Sequence, residues 1–249
     1  MTGKNNLSRR QFLSGTAGAA VGAIALPHFV PSSVLAGNAP SERITLGFIG
    51  TGKQSKHLMK SFLNSPGTHV VAACDVDKLK LARGRKIVED YYAGKKAGSY
   101  KGCDTYGDFR DLIARDDIDA VVIATPDHWH AITVIQSAQA GKDIYCEKPL
   151  SQTIEEARAM VNAVRRYGRV FQTGSMQRSD WHFRLGCELV LNGYIGELKH
   201  VTVSVGGPAQ NPPLPAQPVP DYLDWEMWLG PAQWRPYPVS YTHLTLPTN

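Results

Sequence analysis

The stretch from Ala120 to Leu150, AVVIATPDHWHAITVIQSAQAGKDIYCEKPL, constrains the fold more than any other part of the chain. Ala120 to Ala124 is a short apolar run rich in β-branched residues, the pattern of a buried strand. Thr125-Pro126 ends it, because proline has no N–H to contribute to a central ladder. His128 to Ala140 carries Ile132, Ile135 and Ala138 near helical spacing, and Gly141 supplies a stop. Asp143 to Cys146 is the next strand, with Glu147-Lys148-Pro149 at its carboxyl end. Two strands joined by one helix in so few residues imply a parallel pair with a right-handed crossover. Open sheets of this kind bind ligands beyond the carboxyl ends of their strands. Both polar clusters, Thr125 to His130 and Glu147-Lys148, fall on that edge.

Upstream, Ile44 to Ile49 reads as the first strand. Gly50-Thr51-Gly52-Lys53-Gln54-Ser55 follows, then a helix to about Leu63. The first glycine permits a tight turn, and the second lets backbone approach a pyrophosphate at the helix N-terminus, where free N–H groups favour anions. Ser55 stands where the dinucleotide-binding fingerprint has a third glycine, and serine is small enough to preserve helix–strand packing. His69 to Ala73 is the second strand, leading into Cys74-Asp75. A carboxylate at this distance past the glycines can accept both hydrogen bonds from an adenine-ribose diol and repel a 2′-phosphate. Asp75 therefore points to NAD rather than NADP. The same residue, or Asp77, can instead cap the helix that starts near Lys78.

Lys78 to Tyr92 is helical, Gly94 to Gly102 a basic loop, and Asp108 to Ala114 a short helix. Thr153 to Tyr167 is an amphipathic helix with Ile154, Ala157, Val161 and Val164 expected inward and Glu155-Glu156 in its first turn. Arg169 to Thr173 is a further strand, and Gly174 to Arg178 a loop on the ligand side. Asp180 to Asn192 is a helix. Glu197 to Val205 alternates as a strand with one covered face and reads as the opening of a second domain. Pro208 to Pro220 is an extended loop. Trp225 to Pro231 is a short apolar helical turn whose tryptophans either line a pocket or pack a core.

The formal charge of +5 comes largely from Lys4, Arg9 and Arg10 in an acid-free leader. No basic run is interleaved with aromatics, so nucleic acid is not an expected partner. Cys74, Cys103, Cys146 and Cys187 are too widely spaced for a zinc site, and no metal is expected. Residues 1–36, with Ser8-Arg9-Arg10-Gln11-Phe12-Leu13 before an Ala/Gly-rich stretch and Val34-Leu35-Ala36, resemble a twin-arginine signal. That implies a periplasmic or secreted protein exported already folded. Pro27, His28 and Pro31 break the apolar stretch, so no stable membrane anchor is expected.

With these residues in place, 43–238 resembles the glucose–fructose oxidoreductase, inositol dehydrogenase and rhizopine-catabolism (Gfo/Idh/MocA) family. Its marks are Gly50-x-Gly52, Asp75, Thr125-Pro126-x-x-x-His130, Gly141-Lys142 and Glu147-Lys148-Pro149. Asp224-Trp225-x-x-Trp228-Leu229-Gly230-Pro231 is similar to secreted members. The resemblance implies an α/β architecture: a Rossmann-type, doubly wound parallel sheet over 42–174. The start of an α/β domain with an open, mostly antiparallel sheet follows over 175–238. It implies tightly held NAD(P), which Asp75 narrows towards NAD, a small sugar or cyclitol substrate, and a homo-oligomer at full length. Cofactor contacts are then expected from Gly50, Thr51, Gly52, Lys53, Gln54, Asp75, Ala124, Thr125, Pro126, His130, Glu147 and Lys148. Catalysis is expected from Lys148, hydrogen-bonded to a substrate hydroxyl, with Glu147 orienting it and His130 touching cofactor or substrate. Gln177 and Arg178 are further substrate candidates. Without the resemblance, Glu147-Lys148 reads equally as a surface ion pair, His130 as a structural histidine, and Gln177-Arg178 as a solvated loop.

The Asp-x-x-x-His motif that supplies the family's general base does not occur after Arg178, and residues 239–249, ending SYTHLTLPTN, read as non-native sequence. The chain is therefore expected to be a C-terminally truncated piece, inactive by itself. Three functions remain in view. One is a nicotinamide-dependent sugar or cyclitol oxidoreductase, favoured by Glu147-Lys148-Pro149. Another is an NAD-retaining glycoside hydrolase or lyase, and a bare nucleotide-binding fragment is the third.

Overall fold

The structure, a computed structural model, describes residues 42–96, 101–204 and 215–238. The leader and residues 239–249 lie outside them. The described residues from Arg43 to Pro238 belong to one compact unit.

Six parallel strands make the central sheet: β1 (Ile44–Ile49), β2 (Thr68–Cys74), β3 (Asp104–Tyr106), β4 (Ala120–Ile123), β5 (Asp143–Glu147) and β6 (Phe171–Gly174). Their order is β3-β2-β1-β4-β5-β6. The order reverses between β1 and β4, where Leu46 pairs with Ala120 and Ile49 with Ile123. That reversal opens a crevice at the carboxyl ends of the two strands. The expected doubly wound parallel sheet is thus present.

Alternate residues of each strand feed the two faces of the sheet. Phe48, Val70, Ala73 and Val122 pack under helices α1 (Lys53–Asn64) and α2 (Lys78–Lys96). Ile49, Cys74, Val121, Ile123 and Cys146 pack under three others: α3 (Phe109–Ile113), α4 (Asp127–Gln139) and α5 (Ile154–Arg166). With both faces covered, these strands tolerate continuous apolar sequence, which is why AVVI reads so clearly. Burial pushes the Cys146 thiol up to about 12, with the Glu147 charge adding to it, so it is an inert core group.

Three expectations change. β3 was not anticipated: Asp-Thr-Tyr has no apolar periodicity and becomes a strand only by pairing its three residues with Ala72 to Cys74 at the sheet edge. In α5 the inward face is Met160 and Ala163, with Ala157 and Val164 half-buried, whereas Ile154 is 90% exposed. Ile154 is the first residue of the helix, and Val161, also expected inward, is exposed as well. Finally, residues 198–204 form no strand, and Val201 and Val203 are exposed. A strand needs a neighbouring backbone to complete its ladder, and among the described residues none pairs with this segment.

Helix α6 (Trp181–Leu191) follows a 3₁₀ turn, Met176–Ser179, and is capped by Asp180, whose carboxylate accepts from His182 N–H. Residues 215–238 then return across the carboxyl edge of the sheet. Leu223 bridges Asp77, Lys78 N–H donates to Tyr222 O at 2.8 Å, and Asp224 N–H donates to Val76 O at 3.0 Å. Helix α7 (Trp225–Leu229) buries Trp225 and Leu229 against Tyr237, and Trp225 stacks on Trp228 with ring centroids 4.8 Å apart. Between the two expectations for the tryptophans, Trp225 is a packing residue. No helix among the described residues is long and apolar enough to cross a membrane.

Candidate functional site

The crevice between β1 and β4 is built on Gly50. Its φ is +86°, and a Cβ there would lie 2.6 Å from the carbonyl oxygen of Ala124. Only glycine permits both the turn and the approach of the two strand ends. At Gly52, by contrast, a Cβ would meet nothing within 4 Å, so its Cα faces open space. Gly52 is the N-cap of α1. No side chain caps this helix and its first turn holds no acid. The first-turn N–H groups and the positive end of the dipole are left for an anion. Ser55 is fully buried, so serine does preserve the packing expected of a third glycine. Gly84 in α2 was not singled out from sequence. A Cβ there would lie 2.8 Å from Thr51 Cγ2, so this glycine lets α2 pack against the turn.

Asp75 follows β2 on one side of this turn. Its Oδ2 accepts from Thr51 N–H at 2.7 Å and Thr51 Oγ1–H at 2.9 Å, and its Oδ1 accepts from Asp77 N–H at 2.9 Å. A carboxylate has about four acceptor positions. Three are occupied within the chain, so a ribose diol at Asp75 would share this carboxylate with the Thr51 turn and the Asp77 N–H. The cap of α2 is Asp77, whose Oδ1 accepts from Leu79 and Lys80 N–H.

On the other side lie the ends of β4 and β5. Thr125 Oγ1 is buried at the end of β4 without a hydrogen-bond partner. Glu147 is 4% exposed, and its Oε1 accepts from Gln54 Nε2 at 3.1 Å. Gln54 is in the first turn of α1, so this bond ties the glycine turn directly to Glu147-Lys148. Lys148 N–H lies 3.3 Å from Glu147 Oε2, and the Lys148–Pro149 bond is cis. The Lys148 side chain is half-buried. These contacts exclude a mere surface ion pair for Glu147. Burial, followed by the Glu147 charge, pushes the Tyr145 phenol up to about 12, so it stays protonated beside that carboxylate. Gly174, read from sequence as the start of a loop, closes β6 and is the other support: a Cβ there would fall 2.9 Å from Glu147 Cα and Oε1.

His130 sits elsewhere than expected. It is 1% exposed, with Nδ1 2.7 Å from Pro149 O and Nε2 2.9 Å from Thr125 O. Both ring nitrogens face backbone carbonyls, so the expected contact with cofactor or substrate is corrected to a brace between the loops after β4 and β5. The helical Thr125-Pro126-x-x-x-His130 spacing carries the ring back over the start of its own helix. Gln177 and Arg178 lie exposed on the 3₁₀ turn after β6, whose Met176 sulfur is 3.9 Å from Gln54 Nε2. Lys142 belongs to the opposite end of the sheet, where its buried ammonium donates to Arg115 O and Ile118 O, so Gly141-Lys142 is a structural mark.

A glycine turn at a strand-order reversal, an uncapped helix N-terminus, and a carboxylate after the neighbouring strand define a dinucleotide-binding fold, and the residues present fit NAD. The chain belongs to the Gfo/Idh/MocA oxidoreductase family. The profile of that family's NAD-binding Rossmann fold matches residues 44–175, more than half of the chain, and the profile of its C-terminal α/β domain matches 209–248. The chain is 32% identical over 214 residues to a glycosyl hydrolase family 109 protein of Shewanella baltica strain OS185, covering 79% of this chain and 45% of the relative. It is 34% identical over 163 residues to glycosyl hydrolase family 109 protein 2 of Shewanella sp. strain ANA-3, covering 64% and 34%. It thus spans between a third and a half of these relatives' length. Among solved structures, myo-inositol 2-dehydrogenase from Lactobacillus plantarum is similar at 27% identity and a TM-score of 0.52, over 62% of this chain and 43% of that one. The scyllo-inositol dehydrogenase of Lactobacillus casei, solved with NAD(H) and scyllo-inositol, gives the same four values.

Proposed function

We propose that this chain is the cofactor-binding part of an exported enzyme that moves hydride between NAD and a hydroxyl or carbonyl carbon of a sugar or cyclitol. The bond from Gln54 to Glu147 carries this reading, because it unites the anion-binding turn with the one lysine at the carboxyl end of β5. Bound NAD supplies the hydride acceptor and donor. The residues of the chain do the rest. The first turn of α1 binds the pyrophosphate, Gly50 and Gly52 admit it, and the Thr125 hydroxyl offers a donor on the β4 side. Lys148 acts beside the nicotinamide, hydrogen-bonding the substrate oxygen and stabilising negative charge as hydride leaves its carbon. Glu147, with Gln54 and Gly174 behind it, positions the backbone from which Lys148 extends. Gln177 and Arg178 are substrate contacts at the rim.

The names of the curated relatives favour a second reading, NAD-retaining glycoside hydrolysis, in which hydride leaves and returns within one cycle. The Arg9-Arg10 leader supports export in either case. An exported enzyme meets little free NAD and would keep the molecule around which it folded.

The test uses this chain and a version extended to the length of its relatives. Lys148→Ala is expected to slow single-turnover hydride transfer roughly 10²–10³-fold, the usual cost of losing an oxyanion partner, while the NAD dissociation constant changes little. Unchanged transfer removes Lys148 from the mechanism. With methyl glycosides, a net change in nicotinamide absorbance supports the oxidoreductase, and methanol release without net redox supports the hydrolase. Nicotinamide retained after dialysis of the exported fraction supports retention.

A further inference from the structure

A cavity of about 510 Å³ opens on the Asp75 side of the glycine turn. Asp75 and Val76 from the end of β2, and Gly107 and Asp108 from the end of β3, form its floor. Its other wall is Asp221, Leu223, Asp224 and Met227 from the returning segment. That wall is fixed in place. Asp224 N–H and Tyr222 O are bonded to the β2–α2 loop, and His128 Nε2 and Trp129 Nε1 both lie within hydrogen-bond distance of Trp228 O, at 2.9 and 3.2 Å. A Cβ on Gly230 would fall inside the Trp129 indole, so the segment closes against α4 as tightly as backbone allows.

The strand order says which part of a dinucleotide reaches this cavity. Lys148 follows β5 and Asp75 follows β2, on opposite sides of the turn between β1 and β4. With the nicotinamide at Lys148, the cavity takes the other ribose, the one that carries a 2′-hydroxyl in NAD and a 2′-phosphate in NADP. Four carboxylates line it against one ammonium, Lys78, whose Nζ donates to Asp221 O at 3.3 Å. Asp108 is ion-paired to Arg110 at 3.1 Å, which blunts its charge. Asp75 has three of its four acceptor positions occupied by the turn and the α2 cap. Among the described residues no group of three or more metal-ligating side chains converges, so these carboxylates form a wall and not a cation site.

We infer that the returning segment is a specificity wall, and that Asp221 and Asp224 act with Asp75 to exclude a 2′-phosphate and so select NAD over NADP. The inference rests on the NAD reading above. It assigns discrimination to a segment 146 residues or more beyond the carboxylate that carries it in the dinucleotide fingerprint.

Asp224 caps α7 by accepting from Met227 N–H, and asparagine can make the same bond, so Asp221→Asn/Asp224→Asn removes charge without removing the cap. Dissociation constants for NAD and NADP are measured by tryptophan fluorescence on the 249-residue chain. The wild type is expected to prefer NAD by at least about tenfold, and the double variant to shift the ratio towards NADP by about tenfold at low salt. The shift is expected to fade in 1 M salt, where charge is screened within about 3 Å. Asp221→Lys at the exposed position is expected to shift it further. A ratio unchanged in both variants while NAD still binds, or a wild type without preference, overturns the wall and leaves the NAD reading standing. A shift that persists undiminished in 1 M salt overturns its charge origin. A wild type that binds neither nucleotide overturns both.

Discussion

Both oxygens of Asp75 are engaged before any ligand arrives, one by the backbone and hydroxyl of Thr51 and the other by Asp77 N–H. The residue that reads as a ligand contact is equally a tie between the glycine turn and β2. Gly174 and Glu147 show the reverse case, a glycine with no motif that makes room for a motif residue. Gly174→Ala would place a methyl against Glu147 backbone and carboxylate, and overpacking of this kind costs about 1–3 kcal/mol. Urea unfolding should show that loss together with weaker NAD binding. His128 carries a pH dependence. Burial holds its pKa below the usual histidine value, against the opposing effects of the Trp228 carbonyl and the Asp127 charge, with His130 adding to the depression. The unfolded chain therefore takes up the proton more readily than the folded one. The stability from neutral His128 is fully present above about pH 6.5 and is lost as pH falls through the lowered folded value. Between pH 7.5 and 5 the wild type should lose more unfolding free energy than His128→Gln, and equal slopes would show that His128 does not titrate with the contact.

At the scale of elements, local chemistry and tertiary context divide the work. Helix α5 starts at a full capping box: Thr153 Oγ1 accepts from Glu156 N–H at 3.1 Å and Glu156 Oε2 accepts from Thr153 N–H at 3.2 Å. Thr153→Ala should cost about 1 kcal/mol, read as a lowered melting temperature with NAD affinity unchanged, because the cap lies outside the site. The start at Thr153 and the end at Tyr167 were both legible from sequence. The buried face was not. Ile154 and Met160 both satisfy helical spacing, and only the docking of α5 against α4 decides that Met160 is covered. β3 and residues 198–204 make the same point from opposite directions. Three polar residues become a strand because β2 offers its edge, while an alternating apolar segment forms none where no described neighbour completes its ladder.

For the whole molecule, the parallel sheet places every cofactor candidate on one edge and the returning segment over part of it, so ligand and fold are coupled. NAD at one hundred times its dissociation constant should raise the unfolding free energy by about 2.7 kcal/mol, visible as a higher melting temperature. No shift at that concentration would count against the NAD reading. Sequence by itself determined the apolar strands β1, β2, β4 and β5, the glycine turn, the strand-end positions of Asp75 and Glu147-Lys148, and the Thr153 start of α5, because each is set by residues a few positions apart. Only the tertiary structure decided that His130 faces two carbonyls, that Gln54 reaches Glu147 across 93 residues, and that Asp221 and Asp224 share a cavity with Asp75. Those depend on which strands are neighbours and on where the chain returns. A local pattern carries no record of either.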